Sequence, residues 1–272
     1  MAKIIAVGNQ KGGVGKTTTA LNLGIGLVRA GKRVLLVDDD PQGDLTASLG
    51  WNGDKIENSL GRLMYLEAEE HGPEVHDAIL HHDEGVDLIP SNMDLSSMET
   101  RLVNTMSREK VLANLLEDVK ADYDYILIDC MPSLGMLTVN ALTASDSIII
   151  PVQAQYLPAR GMTQLMKSIN MVRNHTNPDL KIEGIVMTLV DGRTNLARDV
   201  IRAIREGYGM SVRIFSSEIP VAVKAAEAGK AGKSIFAYDP DGKAARAYEA
   251  LTKEVIADNE RHRKRDRTAI AR

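Results

Sequence analysis

Between the apolar run Ile4-Ile5-Ala6-Val7 and a stretch with helical periodicity lies Lys11-Gly12-Gly13-Val14-Gly15-Lys16-Thr17-Thr18. A glycine-rich turn leading from a buried strand into a helix points successive backbone N–H groups inward and presents the positive end of the helix, which is a cradle for phosphate. Few folds accommodate such a turn, and the local order it demands is strand, turn, helix, then a second parallel strand. The usual pattern has glycine six residues ahead of the lysine. Here Gln10 stands at that place and Lys11 follows it, so the loop is a deviant one with an additional cation.

The rest of the chain keeps the same rhythm. Ile4 to Val7, Val34 to Val37, Val86 to Ile89, Ile126 to Ile128, Ile148 to Val152 and Ile182 to Met187 read as strands separated by segments long enough for helices. The expected class is α/β: a doubly wound, mainly parallel sheet flanked by helices, with residues 1–272 forming a single domain. Aromatic residues are only 4% of the chain, so Leu, Ile, Val, Ala and Met must fill the core, which suits strands covered on both faces. The first helix is expected from Lys16 to Ala30, stopped by Gly31. A long last helix carries Ala244, Ala247, Tyr248, Leu251, Val255 and Ile256 at helical spacing, and residues 258–272 read as a basic, frayed extension.

Charge and cysteine content narrow the function classes. The net charge is -4, yet residues 63–100 hold ten acidic residues and no Lys or Arg, leaving 33 basic against 27 acidic residues elsewhere. A basic face is therefore compatible with an acidic protein. The 63–100 stretch reads as variable decoration around the strand Val86 to Ile89, without chemistry of its own. Cys130 is the single cysteine, which excludes an intramolecular disulfide and a metal cluster ligated by one chain's cysteines. With neither a secretory pattern nor a membrane-spanning run in view, a cytoplasmic location is expected.

Phosphoryl transfer requires a cradle, a metal site, a residue that orients water, and positive charge. Lys16 is placed to reach the β and γ phosphates and Thr17 to put its hydroxyl on magnesium. Tyr125-Ile126-Leu127-Ile128-Asp129 is a buried strand ending in a carboxylate, so Asp129 is the candidate acid of the metal shell. Val34-Leu35-Leu36-Val37 runs into Asp38-Asp39-Asp40-Pro41-Gln42-Gly43. Three adjacent acids repel one another unless a cation or water intervenes. Asp40 is best placed to orient a water and Asp38 to support the metal, while Asp39 reads as a solvated turn residue.

Lys11 to Thr18, Asp38 to Gly43 and Asp129-Cys130-Met131-Pro132-Ser133-Leu134-Gly135 together resemble the ParA family of partition ATPases. The resemblance continues through Asn140-Ala141-Leu142, Ile150-Pro151-Val152-Gln153, Asp191-Gly192-Arg193-Thr194-Asn195, Ile219-Pro220 and Tyr238-Asp239-Pro240, sparing residues 51–120. It implies a deviant P-loop ATPase using ATP and Mg2+ that closes as a homodimer, with Lys11 of one copy reaching the phosphates held by the other. It also implies slow hydrolysis stimulated by a ParB-type centromere-binding protein, and an adenine site near Pro220 and Val221. Met131 stands where many relatives have proline, which is expected to loosen the segment after Asp129.

Arg198, Arg202 and Arg205 form a cationic stripe beside Ala197, Ile201 and Ile204 on a predicted helix. The resemblance implies DNA binding without sequence preference through basic residues near Arg193 and Lys224, so Arg193, Arg198, Arg202 and Lys224 are the DNA-binding candidates, and the location would be the nucleoid. The basic run Arg261 to Arg267 could add attraction. A MinD-like membrane-positioning ATPase is the leading rival. It would require a terminal helix with bulky apolar residues, whereas Thr268-Ala269-Ile270-Ala271-Arg272 offers one, so no stable membrane association is expected. A small-molecule ligase of the same loop class is a more distant alternative, without a substrate signature.

Overall fold

The computed structural model describes residues 2–155 and 159–270, the side chains of 159–160 and 262–270 excepted. Its strands are β1 (Lys3–Val7), β2 (Val34–Asp39), β3 (Leu80–His81), β4 (Asp87–Ile89), β5 (Tyr125–Cys130), β6 (Ser147–Gln153), β7 (Lys181–Val190) and β8 (Ile214–Pro220). They form one sheet in the order β3-β4-β2-β5-β1-β6-β7-β8, parallel throughout except where β3 pairs with β4. The strand order turns back at β1, so the carboxyl end of β1 is a switch point where a ligand crevice belongs.

The helices are α1 (Lys16–Arg29), α2 (Asp44–Ser48), α3 (Leu60–Ala68), α4 (Leu95–Arg101), α5 (Val111–Val119), α6 (Met136–Ala144), α7 (Ala159–His175), α8 (Asn195–Tyr208), α9 (Val223–Lys230), α10 (Ile235–Tyr238) and α11 (Lys243–Ile270). Period-2 alternation divides the buried strand residues between two cores. Leu35, Val37, Ile126 and Ile128 face a cluster filled by α3 to α8. Val34, Leu36, Tyr125 and Leu127 face the other, filled by α1, α2, α10 and α11. Both faces are thus covered, which explains why the central strands are continuous apolar runs.

The expected strands are present, and two were not foreseen. β8 alternates buried Phe215, Ser217 and Ile219 with more exposed neighbours, so its serines and Glu218 interrupt the apolar run that marks the inner strands. β3 is two residues long and carries no periodic signal. Helix α1 starts at Lys16, as expected, because Gly15 turns the chain at a φ of 84°, and Gly31 at 77° lies just beyond its end. Helical backbone in α11 reaches Ile270. Most of the basic run proposed for 258–272 lies outside the residues whose side chains are described.

Candidate nucleotide-binding site

The loop between β1 and α1 stands at the switch point, and the neighbouring strands β6 and β7 brace it. Asn9 Nδ2 donates to the Pro151 carbonyl at 2.7 Å, and the Asn9 side chain in turn accepts the Lys11 N–H at 3.1 Å. Thr188 Oγ1, buried on β7, donates to the Val14 carbonyl at 2.7 Å. Neither residue was singled out in the sequence, because each acts through a backbone carbonyl far along the chain. Gly12 and Gly13 have open space where a side chain would be, so their backbone is accessible to a large anion. Lys16 is 7% exposed, and its Nζ donates to the Lys11 carbonyl at 3.3 Å. Burial lowers its pKa, while Asp129 foremost and then Cys130, Asp40 and Asp44 oppose that shift. Lys11 itself is exposed, and its Nζ donates to Gln153 Oε1, at the end of β6, at 3.4 Å.

Asp38 and Asp129 are paired in register on β2 and β5, on the face that carries α1. Asp38 Oδ2 accepts the Thr46 backbone N–H at 2.8 Å and the Thr46 hydroxyl at 2.6 Å, so it fixes the start of α2, and its Oδ1 has no partner. Burial pushes its pKa up to about 7, against the pull of the Thr46 bonds. Both oxygens of Asp129 are buried without a hydrogen-bond partner, and burial followed by the nearby Asp38 charge raises its pKa well above the usual carboxylate range. Thr17 and Lys16 act in the opposite sense. Three carboxylate oxygens in one crevice therefore lack donors. They fit a hard cation. No group of three or more acidic, His or Cys side chains among the described residues is placed to hold a metal alone, so such a cation would complete its shell with phosphate oxygens and water, as magnesium does.

Asp40 is half-buried, its Oδ1 taken by the Gln42 N–H at 2.9 Å. Asp39 corrects the sequence reading: it is fully buried, not a solvated turn residue. It is the last residue of β2, it faces the opposite core from Asp38, and neither of its oxygens has a partner. Burial first, then the charges of Asp38, Asp40, Glu99 and Asp129, raise its pKa well above the usual value. The acidic 63–100 stretch supplies structural anions to other parts of the chain. Glu99 on α4 accepts the Met136 N–H at 2.9 Å and the Leu137 N–H at 3.3 Å, and Glu84 accepts from Ser234.

Pro220 ends β8 on the same edge of the sheet as the loop, and Val221 N donates to the Val190 carbonyl at 3.2 Å, leaving Val221 half exposed. The basic candidates fall into two groups. Arg198, Arg202 and Arg205 share the exposed face of α8 and line one shallow groove with Glu206 and Glu218. Their apolar neighbours Ala197, Val200 and Ile204 point to the core. Arg205 pairs with Glu218 at 3.2 Å and Arg202 lies 3.9 Å from Asp199. Off that helix, Arg193 is clamped to Asp191 through Nε and Nη2, both at 2.8 Å, and Lys224 reaches Asp239 at 2.8 Å. No helix among the described residues is long and apolar enough to cross a membrane.

A family model described as an AAA domain matches residues 2–182. The sporulation initiation inhibitor protein Soj of Bacillus subtilis is 46% identical over 259 residues, covering 95% of this chain and 100% of that protein. The chromosome partitioning protein ParA of Caulobacter vibrioides is 41% identical over 271 residues, covering 99% and 97%. Among solved structures, cobyrinic acid a,c-diamide synthase from Mycobacterium smegmatis with bound ADP and magnesium superposes with a TM-score of 0.81 at 38% identity, over 93% of each chain. Cyanothece apo McdA gives 0.80 at 25% identity, over 94% of this chain and 100% of the other. A glycine turn braced by β6 and β7, with a buried lysine facing unpartnered carboxylates, thus occurs in a sequence close to Soj and ParA along nearly its whole length, and the chain belongs to the ParA family of partition ATPases.

Proposed function

We propose that this chain is a nucleotide-dependent switch that binds ATP with Mg2+, pairs with a second copy, holds double-stranded DNA without sequence preference and releases it after hydrolysis. The observation that carries the reading is the placement of the two loop lysines. Lys16 is buried beside Asp129, whereas Lys11 is exposed to solvent. A second copy is what brings an outer cation to the phosphates, and a charge supplied in trans ties hydrolysis to assembly.

In this reading the N–H groups of Gly12 to Thr18 and the Lys16 ammonium hold the phosphates. Thr17 Oγ1, Asp129 and the open Oδ1 of Asp38 are the groups that would hold magnesium, which when bound supplies charge neutralisation for the phosphate oxygens. Asp40 orients the attacking water through the carboxylate oxygen not engaged by Gln42. The backbone around Pro220 and Val221 receives the adenine. Arg193, Arg198, Arg202 and Lys224 contact DNA backbone, exchanging carboxylate partners for phosphate at Arg193, Arg202 and Lys224. A ParB-type centromere-binding protein stimulates turnover, and the outcome is partition of a plasmid, mobile element or chromosome region from a cytoplasmic, nucleoid-associated pool.

Light scattering with a slowly hydrolysed ATP analogue and magnesium tests the proposal: a shift from one copy to two is expected, lost in Lys11→Ala while nucleotide binding persists. A single copy under saturating analogue refutes it. A synthase-type activity is favoured only by the solved enzyme from Mycobacterium smegmatis, and it requires an acid substrate for turnover. Hydrolysis that proceeds without such a substrate and accelerates with DNA and a ParB-type protein separates the two. Co-sedimentation with neutral liposomes would instead favour the MinD-like reading.

A further inference from the structure

Helix α6 follows directly from the segment Met131–Gly135, which leaves β5 just beyond Asp129 and Cys130. Its capping residue, Gly135, contributes no side-chain hydrogen bond. The cap is supplied from 36 residues upstream: Glu99 Oε2 accepts the Met136 N–H and Oε1 the Leu137 N–H. A carboxylate on the first two N–H groups of a helix satisfies otherwise orphaned donors and complements the positive helix end. A side chain at Gly135 would displace this carboxylate. A Cβ there would lie 2.4 Å from Glu99 Oε1 and 2.6 Å from Oε2.

The helix that carries Glu99 is firmly seated. Leu95, Met98 and Leu102 on its own helical stretch are fully buried in the core, and α4 sits so close to α3 that a Cβ on Gly61 would lie 2.7 Å from Leu95 N. The segment 131–135 is therefore pinned at both ends. Met131 N donates to the Asp39 carbonyl at 3.3 Å at the β2 side, and Glu99 holds the α6 side. Between them Ser133 Oγ accepts the Gly135 N–H at 3.2 Å, and Thr138 Oγ1 donates to the Ser133 carbonyl at 2.9 Å. The backbone next to Asp129 thus takes its position from a residue on a helix that has no other part in the nucleotide crevice.

We propose that Glu99 is a positioning residue for ATP hydrolysis: by gripping α6 it sets where segment 131–135, and with it the mouth of the crevice beside Asp129, stands when the phosphates are bound. The inference rests on the ATPase reading above. Glu99→Ala should lower kcat about tenfold or more, the loss expected for a misplaced transition-state environment worth one charge-assisted cap. The affinity for a fluorescent ATP analogue with magnesium, and KM, should stay within about twofold, because the turn 11–18 is braced by other residues. Glu99→Gln, which keeps the shape and one acceptor oxygen, should recover most of the lost turnover. Gly135→Ala should reproduce the defect with Glu99 intact, and the double variant Glu99→Ala with Gly135→Ala should be no worse than either alone, since both remove one contact.

Thermal melts of each variant accompany the kinetics. Unchanged kcat per folded molecule with a lowered melting temperature shows a purely structural cap and overturns the proposal. So does a rise in KM and analogue Kd that matches the whole loss in kcat/KM, or an additive double variant. A wild-type chain that binds the analogue but does not turn over even with DNA and a ParB-type protein present overturns the positioning role together with the hydrolysis reading, whereas active wild-type with indifferent variants overturns the positioning role alone.

Discussion

Replacing Asp39 with valine is expected to make the nucleotide-free protein more stable, although the residue sits between the two proposed site acids. Its carboxyl is fully buried at the end of β2, and neither oxygen has a partner. A buried polar group without a hydrogen bond costs about 1–3 kcal/mol even when neutral. Charge adds to this. Folding raises the Asp39 pKa, so the folded chain retains a proton that the unfolded chain gives up once the pH exceeds the ordinary value of 3.8. Stability contributed at low pH is then lost as pH climbs, at about 1.4 kcal/mol per pH unit, until the folded carboxyl itself ionises. Valine suits a strand and faces the apolar core around Val37 and Ile128. The gain should be at least the roughly 1–3 kcal/mol of the unpartnered carboxyl and should grow with pH, and each kcal/mol moves the melting temperature of a chain this size by about 2–4 °C. Asp39→Asn should remove the pH slope but keep the cost of the unpartnered polar group. Denaturant melts of wild type, Asp39→Val and Asp39→Asn at pH 5 and pH 8 decide the matter. If wild type is the more stable of the three at pH 8, or if its deficit against valine does not widen from pH 5 to pH 8, the carboxyl has a favourable folded environment and the reasoning fails.

Lys16→Ala should abolish detectable binding of a fluorescent ATP analogue, while Lys11→Ala should leave binding within about threefold and remove the dependence of hydrolysis on protein concentration; equal loss in both would refute the division of labour. Arg198→Ala with Arg202→Ala should weaken DNA retention and reduce the slope of log affinity against log salt by about two, with analogue binding unchanged, and an unaltered slope would take α8 off the DNA surface. Lys3 and Glu183 form a nearly buried ion pair at 2.6 Å. Lys3→Met alone should destabilise the fold by about 3–5 kcal/mol, and Lys3→Met with Glu183→Leu by far less; a single variant as stable as the double would show that Glu183 is solvated.

The central sheet was legible because strands covered on both faces must be apolar along their length, as in Tyr125 to Ile128 and Val34 to Val37. The turn 11–18 was legible because its glycines and lysine have to be contiguous to build a cradle. What escaped did so for physical reasons. β2 runs two residues past its apolar stretch, so Asp39 is carried into the core by strand pairing with Cys130, which no local pattern marks. Glu99 and Thr188 act on backbone groups 37 and 174 residues away, and hydrogen bonds to backbone impose little on the sequence of the partner. The cationic face of α8 could be drawn from spacing alone. The neutralisation of Arg193 and Lys224 by Asp191 and Asp239 depends on side-chain placement in the folded chain.

The hydroxyl of Thr188 that closes the turn at Val14 lies six residues beyond the last position matched by the family model. A chain shortened to residues 2–182 would keep both loop lysines, the loop glycines and Asp38, Asp40 and Asp129, yet it would leave the Val14 carbonyl without its donor and strip away most of the strand that shores up the turn. The most diagnostic stretch of this molecule is therefore not a self-sufficient one, and its grip on phosphate is built from the far half of the polypeptide.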